Sequence, residues 1–408
     1  MKIVVINTGS SSLKYKLFNM EASNQKAVVM ADGIIERIGE EKGKLTHTIF
    51  RKGQKSKFIR KQEIKNHKLG MHLAIKMIID PETGVLDDIS QIDAVGHRIV
   101  QGGEKFSTAV VIDNKVKKAI KKNFTLAPLH NPANLTGIEV SEELFPGTPN
   151  IAVFDTQFHQ TMPEKAFLYA LPYEYYTKFK IRKYGFHGTS HKYVADKTAE
   201  LMEKNKDQLN LITIHLGNGC SMCAIEKGKC KDTSMGMTPL SGIMMGTRTG
   251  DLDPAIPGFL VEQAGMDIKE VNTALNRQSG LKGISGLNDM RDIHEASAKG
   301  NDRAKLAIDM FAFQIKKYIG AYAAVLGSVD ALIFTAGIGE NDDMIRAEAC
   351  KNLAFMGIEM DLKKNSSKKM PPFSIHSKNS RVQVWVIPAN EEFEIAKQVL
   401  NIISQHCS

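Results

Sequence analysis

The sequence predicts an α/β protein made of two copies of one domain, and three observations carry that reading. The first is a hairpin at Lys2–Phe18. There Ile3–Ile6 is a short apolar run, Asn7-Thr8-Gly9-Ser10-Ser11-Ser12 is a small polar turn, and Leu13, Tyr15 and Leu17 then alternate with Lys14 and Lys16. The second is its return at Leu211–Ile225. An apolar run again leads to a polar residue, His215, then one spacer, Gly217, small residues and an alternating strand, at an offset of 215 minus 7, or 208 positions. The third is size. At 408 residues and 42% hydrophobic content the chain exceeds one ordinary core, and it has apolar material for two domains of about 150 to 200 residues.

The first turn packs hydroxyls, an amide and a glycine where two or three residues would close a hairpin. Gly9 lets the backbone come close to a ligand, and the hydroxyls and main-chain N–H groups can donate to oxyanions. Lys14 adds a point charge, and Asn7 can offer a carbonyl to a hydrated metal. A serine-rich surface turn would explain Lys2–Phe18 taken alone. The repeat favours a phosphate, and a third glycine turn, Leu332–Asn341, follows another apolar run. Two phosphate-type hairpins half a chain apart suggest a nucleotide held in a cleft between the copies, and a cleft that closes on its ligands.

Composition narrows the class. No apolar leader follows a basic start, and no run approaches the ~20 apolar residues of a membrane span, so a cytoplasmic protein without membrane partners is expected. Five cysteines, at 220, 223, 230, 350 and 407, are an odd number in a large chain and argue against a disulfide framework. Cys220 and Cys223 form a CxxC on a predicted strand with no second pair downstream, and they read as packing residues. Lys plus Arg number 54 against 45 Asp plus Glu, a net +9. That excess is spread over 51–68, 115–122 and 363–369 without interleaved aromatics or a nucleic-acid signature, so solvated surface accounts for it better than nucleic acid.

Along the chain, 27–58 reads as a β-rich meander and His72–Ile79 opens a helical pattern. At Ala94–Phe106 (AVGHRIVQGGEKF) a strand carries Arg98 towards Gly102-Gly103, a setting suited to clamping a carboxylate or phosphate, although a surface ion pair is the commoner use of an arginine. Two prolines bracket His130 in Leu126–Asn134, a rigid turn before a helix expected at Leu135. Ile151–Phe158 is a buried strand with Asp155 near its end, where α/β sheets carry chemistry. In Lys183–Tyr193 a glycine-bracketed turn holds His187, and Thr189 or Ser190 can cap the helix that follows. His187 and His191 have metal-like spacing but no acidic residue between them, which favours His187 as a donor to an anion. Asp232–Ala255 is the densest candidate, with Arg248 between Gly246 and Gly250. Residues 288–291 (NDMR) and the Gly337–Asn341 turn add anion- and amide-rich loops. A helix begins at Asn390, and Lys363–Ser380 reads as a mobile surface loop.

The stretches INTGSSSLK, GHRIVQGGEKF, LAPLHNP, FDTQFHQTMP, YGFHGTSH, HLGNG, DTSMGMTPL, MGTRTGDLDP, GIGEN and NEE run nearly end to end. Through them the chain resembles the acetate kinase family, of the superfamily that also holds sugar kinases, actin and the heat-shock ATPases. The resemblance implies two duplicated ribonuclease-H-like (actin-like ATPase) domains, the first at 1–154 plus 393–408 and the second, carrying most of the nucleotide site, at 155–392. It implies reversible phosphoryl transfer from ATP to acetate, giving acetyl phosphate and ADP, with Mg2+, or Mn2+ in its place, and a homodimer. Asn7 and Glu391 fall at the metal, Lys14 near the phosphates, and Arg98 on the substrate carboxylate. Asp155 takes the family's acid/base position, and His187 and Arg248 stabilise the transition state. His215, Leu216, Gly217, Asn218 and Gly219, Asp289, Met290 and Arg291, and Gly337, Ile338, Gly339, Glu340 and Asn341 hold ATP. Gln101 stands where the family usually has His, Ser241 where Glu is usual, and GISGLNDMRD is one residue short of the usual form.

The chemistry of that activity agrees with the residues. A carboxylate substrate with a pKa near ~4 is already ionised at pH 7, so catalysis must come from positioning and charge neutralisation rather than a strong base. Asp155 is then better read as orienting Arg98 or the hydrated metal. No GxxxxGK[ST] is present, which excludes a P-loop kinase. Propionate or butyrate kinase differs only in the size of an apolar pocket expected to include Val100, Leu129 and Pro239. An actin-like filament or chaperone ATPase would share the hairpins but would not need Arg98 and Arg248.

Overall fold

The computed structural model describes residues 1–21, 27–51, 53–128 and 130–406. Two compact units emerge, Met1–Gln157 with Asn390–Ser408, and Phe158–Ala389. The divisions fall a few residues from the 154 and 392 expected, so Asp155 and Glu391 both belong to the first unit.

The first unit is built on the strands β1 (Lys2–Thr8), β2 (Ser12–Met20), β3 (Ala27–Glu36), β4 (Gly43–Arg51), β5 (Gln54–Gln62), β6 (Ala94–Ile99), β7 (Val110–Val111) and β8 (Asn150–Phe154). Their order in the sheet is β5-β4-β3-β2-β1-β6-β8-β7, with β1, β6 and β8 parallel and the other pairs antiparallel. The alternation read in the sequence sorts side chains to two faces. Val4, Ile6, Leu13, Tyr15 and Leu17 pack under α1 (His67–Ile79), with Val140 of a later helix joining them. Ile3 and Val5 point the other way. A basic amphipathic helix, α2 (Asn114–Lys122), and α3 (Asn131–Leu144) follow. α3 starts four residues before the expected Leu135, because Pro132 is compatible with a first helical turn, where its missing N–H costs no bond.

The second unit repeats the plan. Strands β9 (Asn210–Leu216), β10 (Cys220–Glu226), β11 (Lys229–Thr233), β12 (Ala331–Thr335), β13 (Phe373–Ser374) and β14 (Gln383–Val386) lie in the order β11-β10-β9-β12-β14-β13. The series β11-β10-β9-β12-β14 has the same directions as β3-β2-β1-β6-β8, three antiparallel strands followed by two parallel ones. Asn7 and His215 are both the sixth residue of a seven-residue strand. The helices here are α4 (Glu164–Phe167), α5 (Tyr173–Phe179), α6 (Gly188–Leu201), α7 (Ala255–Ala264), α8 (Ile268–Thr273), α9 (Gly280–Ser285), α10 (Met290–Ala298), α11 (Asp302–Leu326), α12 (Ala336–Asn341), α13 (Asp343–Cys350) and α14 (Leu362–Asn365). α6 covers one face through Val194, Ala195 and Ala199, and α11 lies along β9, β10 and β11.

Three expectations change. Lys363–Ser380 is not a mobile loop throughout, since it holds the end of α14, strand β13 and His376, which forms an isolated β-bridge with Met360. Thr189 and Ser190 lie inside α6 rather than capping it; the N-cap is His187, in the left-handed region with φ 56°. Gly337–Asn341 is the helix α12 rather than an open turn.

The chain then returns to the first unit as α15 (Glu391–His406), which lays Ile395, Ala396, Val399 and Leu400 over Ile3, Val5, Ile151 and Val153. Gly96 on β6 allows the close approach. A Cβ there would stand 2.8 Å from Val399 and 2.9 Å from Ile395. No helix among the described residues is long and apolar enough to cross a membrane.

Candidate active site

In the first unit, four residues from distant parts of the chain meet at one guanidinium. β6 carries Arg98 beside the end of β8, where the Asp155 amide donates to the Ile99 carbonyl at 2.8 Å. Arg98 grips the Asp155 carboxylate with two nitrogens, Nε at 3.0 Å from Oδ1 and Nη2 on Oδ2. It donates from Nη1 to Asn7 Oδ1 at 3.4 Å, and its Nε lies 3.7 Å from Glu391 Oε2. Asp155 is 1% exposed, while Arg98 and Glu391 keep 18% and 20% of their side-chain surface in solvent. Burial opposes the charged guanidinium, yet the carboxylates of Asp155 and Glu391 outweigh it and raise the Arg98 pKa. Glu391 moves the other way. Burial, with Asp155 and Glu392 nearby, lifts its carboxyl to about 7 against the pull of Arg98 and Lys14. Lys14 pairs with Asn7 across β1 and β2, so both side chains leave the same face.

The loop between β1 and β2 is braced from outside. The Gly9 amide donates to the Ser12 carbonyl at 2.8 Å, and Asn134 Nδ2 on α3 donates to the Thr8 carbonyl at 2.7 Å. Asn134 Oδ1 in turn accepts from the Val100 amide at 3.1 Å. Val100 is buried. Leu129, expected beside it, lies outside the described residues. Gln101, where the family usually has His, is buried with its Oε1 on the Gly103 amide.

The second unit gathers the other candidates around the turn between β9 and β10. A Cβ at Gly219 would stand 3.4 Å from Arg248 Nη1 and 3.4 Å from His187 Cε1, so a glycine leaves both side chains close to the backbone. Arg248 Nη1 donates to the Pro239 carbonyl at 3.0 Å, which joins the glycine-rich loop to that proline. His187 Nδ1 meets Ser221 Oγ at 2.9 Å, and the same hydroxyl meets His191 Nε2 at 2.8 Å. His191 Nδ1 is bonded to Thr213 Oγ1, and His215 Nδ1 to Ser190 Oγ. The His187 and His215 rings stack at 4.2 Å. His191 is fully enclosed, and burial with the His159 and His215 rings nearby holds its pKa well below the ordinary range. It is a neutral support for Ser221, not a ligand paired with His187.

A cavity of about 930 Å3 opens beside this turn, bounded by Gly217, Asn218, Asn288–Arg291, His294, Gly337, Ile338 and Asn341–Met344. Asp289 caps α10, and Arg291, most of it in solvent, is bonded to its carboxylate, which sits at about 2 under that hydrogen bonding. Leu216, Gly339 and Glu340 do not line the space. Leu216 is core, and Glu340 Oε1 accepts from the Ala389 amide at 2.9 Å, its carboxyl raised by burial. Three residues of consequence carry no sequence signal of their own. His294 Nε2 pairs with Asp342 Oδ2 at 2.7 Å in the cavity wall. Ser221 bridges two histidines. Arg346, 2% exposed, donates to the carbonyls of Gly339 and Glu340 and to Asn365, and so pins α12.

Two like sheets, a nucleotide-sized cavity at a glycine turn and an arginine-bound carboxylate cluster define an α/β phosphotransferase of duplicated build. A profile of the acetokinase family matches residues 2–397, and the chain belongs to that family. It is 55% identical over 404 residues to the acetate kinase of Oleidesulfovibrio alaskensis, covering 99% of this chain and 100% of that one. The crystal structure of Porphyromonas gingivalis acetate kinase superposes with a TM-score of 0.93 at 43% identity, over 98% and 99% of the two chains. A propionate kinase from Francisella tularensis gives 0.90 at 40%, also over 98% and 99%. The fold is that of duplicated ribonuclease-H-like domains, and the activity is that of a carboxylate kinase acting on acetate.

Proposed function

We propose that the chain transfers the γ-phosphoryl of ATP to acetate by direct in-line displacement, giving acetyl phosphate and ADP. The observation that carries the reading is the β9–β10 turn, whose Gly217 and Asn218 border a nucleotide-sized cavity while Gly219 lies against Arg248 and His187. A nucleotide in that cavity would point its terminal phosphate at two donors. Asp289–Arg291, Gly337, Ile338 and Asn341 hold the rest of the nucleotide, and Lys14 meets the phosphates. Arg98 clamps the acetate carboxylate, with the buried Val100 on the side of the methyl group. Asp155, already committed to Arg98 by two bonds, orients that clamp instead of taking a proton. Arg248 and His187 neutralise charge on the transferring group, whose transition state is loose and metaphosphate-like.

The oxygen donors Asn7 Oδ1 and Glu391 Oε2 both lie at the Arg98 guanidinium, and a hard amide-plus-carboxylate set of this kind fits Mg2+, or Mn2+ in its place. When bound, the ion supplies charge neutralisation to the phosphate oxygens. Exposed Tyr173, Phe179 and Phe259 offer apolar surface for a homodimer. A cytoplasmic location suits an enzyme that draws on ATP.

The test is acetate-dependent ADP formation, with the acyl phosphate trapped as hydroxamate. ADP formed at the same rate without acetate would replace this reading with an actin-like ATPase. Comparing kcat/KM for acetate and propionate checks the acyl pocket, where one methylene is worth about 1 to 3 kcal/mol.

A further inference from the structure

We propose that His159, Cys223 and Cys230 form a buried site for a divalent thiophilic cation of the Zn2+ type. They are the one group of three His, Cys, Asp or Glu ligand atoms so clustered among the described residues, all within 4.8 Å of one another. Cys223 lies on β10 and Cys230 on β11, while His159 comes from the segment that opens the second unit. The CxxC of the sequence is therefore the wrong pair: Cys220 faces the Gly217 carbonyl instead.

Geometry supports the assignment. Metal–sulfur bonds of about 2.3 Å and a metal–nitrogen bond of about 2.0 Å at tetrahedral angles give edges of about 3.8 Å between sulfurs and about 3.5 Å from sulfur to nitrogen. Here Cys223 Sγ is 3.4 Å from Cys230 Sγ, and His159 Nδ1 is 3.2 Å from Cys230 and 4.0 Å from Cys223. The Asp232 carbonyl oxygen, 3.6 Å from Cys230 Sγ, is the candidate fourth donor. The imidazole is also in the correct form. His159 Nε2 lies 2.9 Å from the Phe186 carbonyl, which can only accept, so Nε2 carries the hydrogen and Nδ1 turns its lone pair to the sulfur.

Charge selects the cation. Binding releases both thiol protons, and two thiolates with one divalent ion make a neutral assembly, which a fully buried site tolerates; a monovalent ion would leave a net negative charge. The cluster is one residue removed from a candidate catalytic side chain. Phe186, whose carbonyl orients the ligand imidazole, is followed by His187 in its left-handed conformation.

The test is metal analysis of the whole protein isolated from cells grown with added Zn2+, followed by exchange with Co2+. One zinc per chain and a thiolate-to-cobalt charge-transfer band are expected, both lost in Cys223→Ser and Cys230→Ser. Zn2+ should raise the Tm of the wild type and leave those variants unmoved. If a variant does not fold, chelator treatment of the wild type decides, because removing the ion should abolish the band and lower the Tm. Reduced thiols with no zinc and no cobalt band would overturn the proposal. So would copper in place of zinc, or a mass lower by two thiol hydrogens, which would make the pair a disulfide.

Discussion

Arg98 and Arg248 carry the same charge in unlike surroundings, so their replacement should fail in different ways. Arg98 sits among four carboxylate or amide oxygens from three residues, whereas the Arg248 guanidinium has the Pro239 carbonyl and the Met245 sulfur beside it. Arg98→Ala is expected to raise the acetate KM strongly, with a smaller loss of kcat from misplacement. Arg248→Ala should lower kcat by on the order of 10² to 10³ and leave the KM for ATP nearly intact. Steady-state kinetics paired with thermal melts separate these from loss of fold; unchanged kcat/KM in well-folded Arg248→Ala would remove it from the mechanism. Glu391 supplies a pH test. An unfolded glutamate loses its proton near pH ~4.3, and the folded one near about 7. Between those values the folded state holds a proton the unfolded chain has lost, so the stability this group contributes is full below the unfolded value and lost as pH rises through about 7. Denaturant titrations across that window should show the decline in the wild type and a flatter profile in Glu391→Gln. Added Mg2+ should oppose the decline, because it favours the carboxylate form.

Elements hold these residues in place through contacts of two kinds. Gly96 lets α15 settle on β6, and a methyl group there meets Val399 and Ile395 inside van der Waals distance. Gly96→Ala should cost about 1 to 3 kcal/mol of unfolding free energy. It should also raise the Mg2+ concentration for half-maximal rate, since Glu391 opens the displaced helix. Arg346 acts through hydrogen bonds. Arg346→Met leaves the carbonyls of Gly339 and Glu340 without that donor, a loss of about 2 to 4 kcal/mol expected in a melt, with a higher KM for ATP. The two hairpins were legible in the sequence because one buried face imposes strict alternation, and Asn7 and His215 were legible as their punctuation. α12 was not, because a run of Ala-Gly-Ile-Gly reads as a turn and is helical here under the hold of Arg346. His187 was picked out by its flanking glycines, yet the Ser221–His191 support behind it was hidden, since ordinary strand and helix positions meet there only in three dimensions. The pairing of Cys223 with Cys230 was hidden likewise, a register shift between Ala224 and Ile225 deciding which side chains converge.

At the scale of the whole molecule, the duplicated plan was readable from a 208-residue offset between two short segments, because both copies need a glycine turn beside a parallel-paired strand. What spacing could not supply was the return of the chain to its first unit. Sedimentation or light scattering should give a mass about twice 45.1 kDa if the homodimer is correct; a monomer would remove it. α15 has a further consequence, in the order of synthesis. Its first residue is made 391 minus 154, or 237 residues, after the end of β8. At about 5 to 20 residues per second, Ile151 and Val153 leave the ribosome roughly 10 to 50 seconds before the helix that covers them, and Ile3 and Val5 earlier still. Over that interval the second unit can complete its own core while an apolar face of the first stays open. The nascent first unit is thus the stage at which a holding chaperone should be found, and pulse-labelled chains should lose protease sensitivity in 1–157 only after Leu400 has been added.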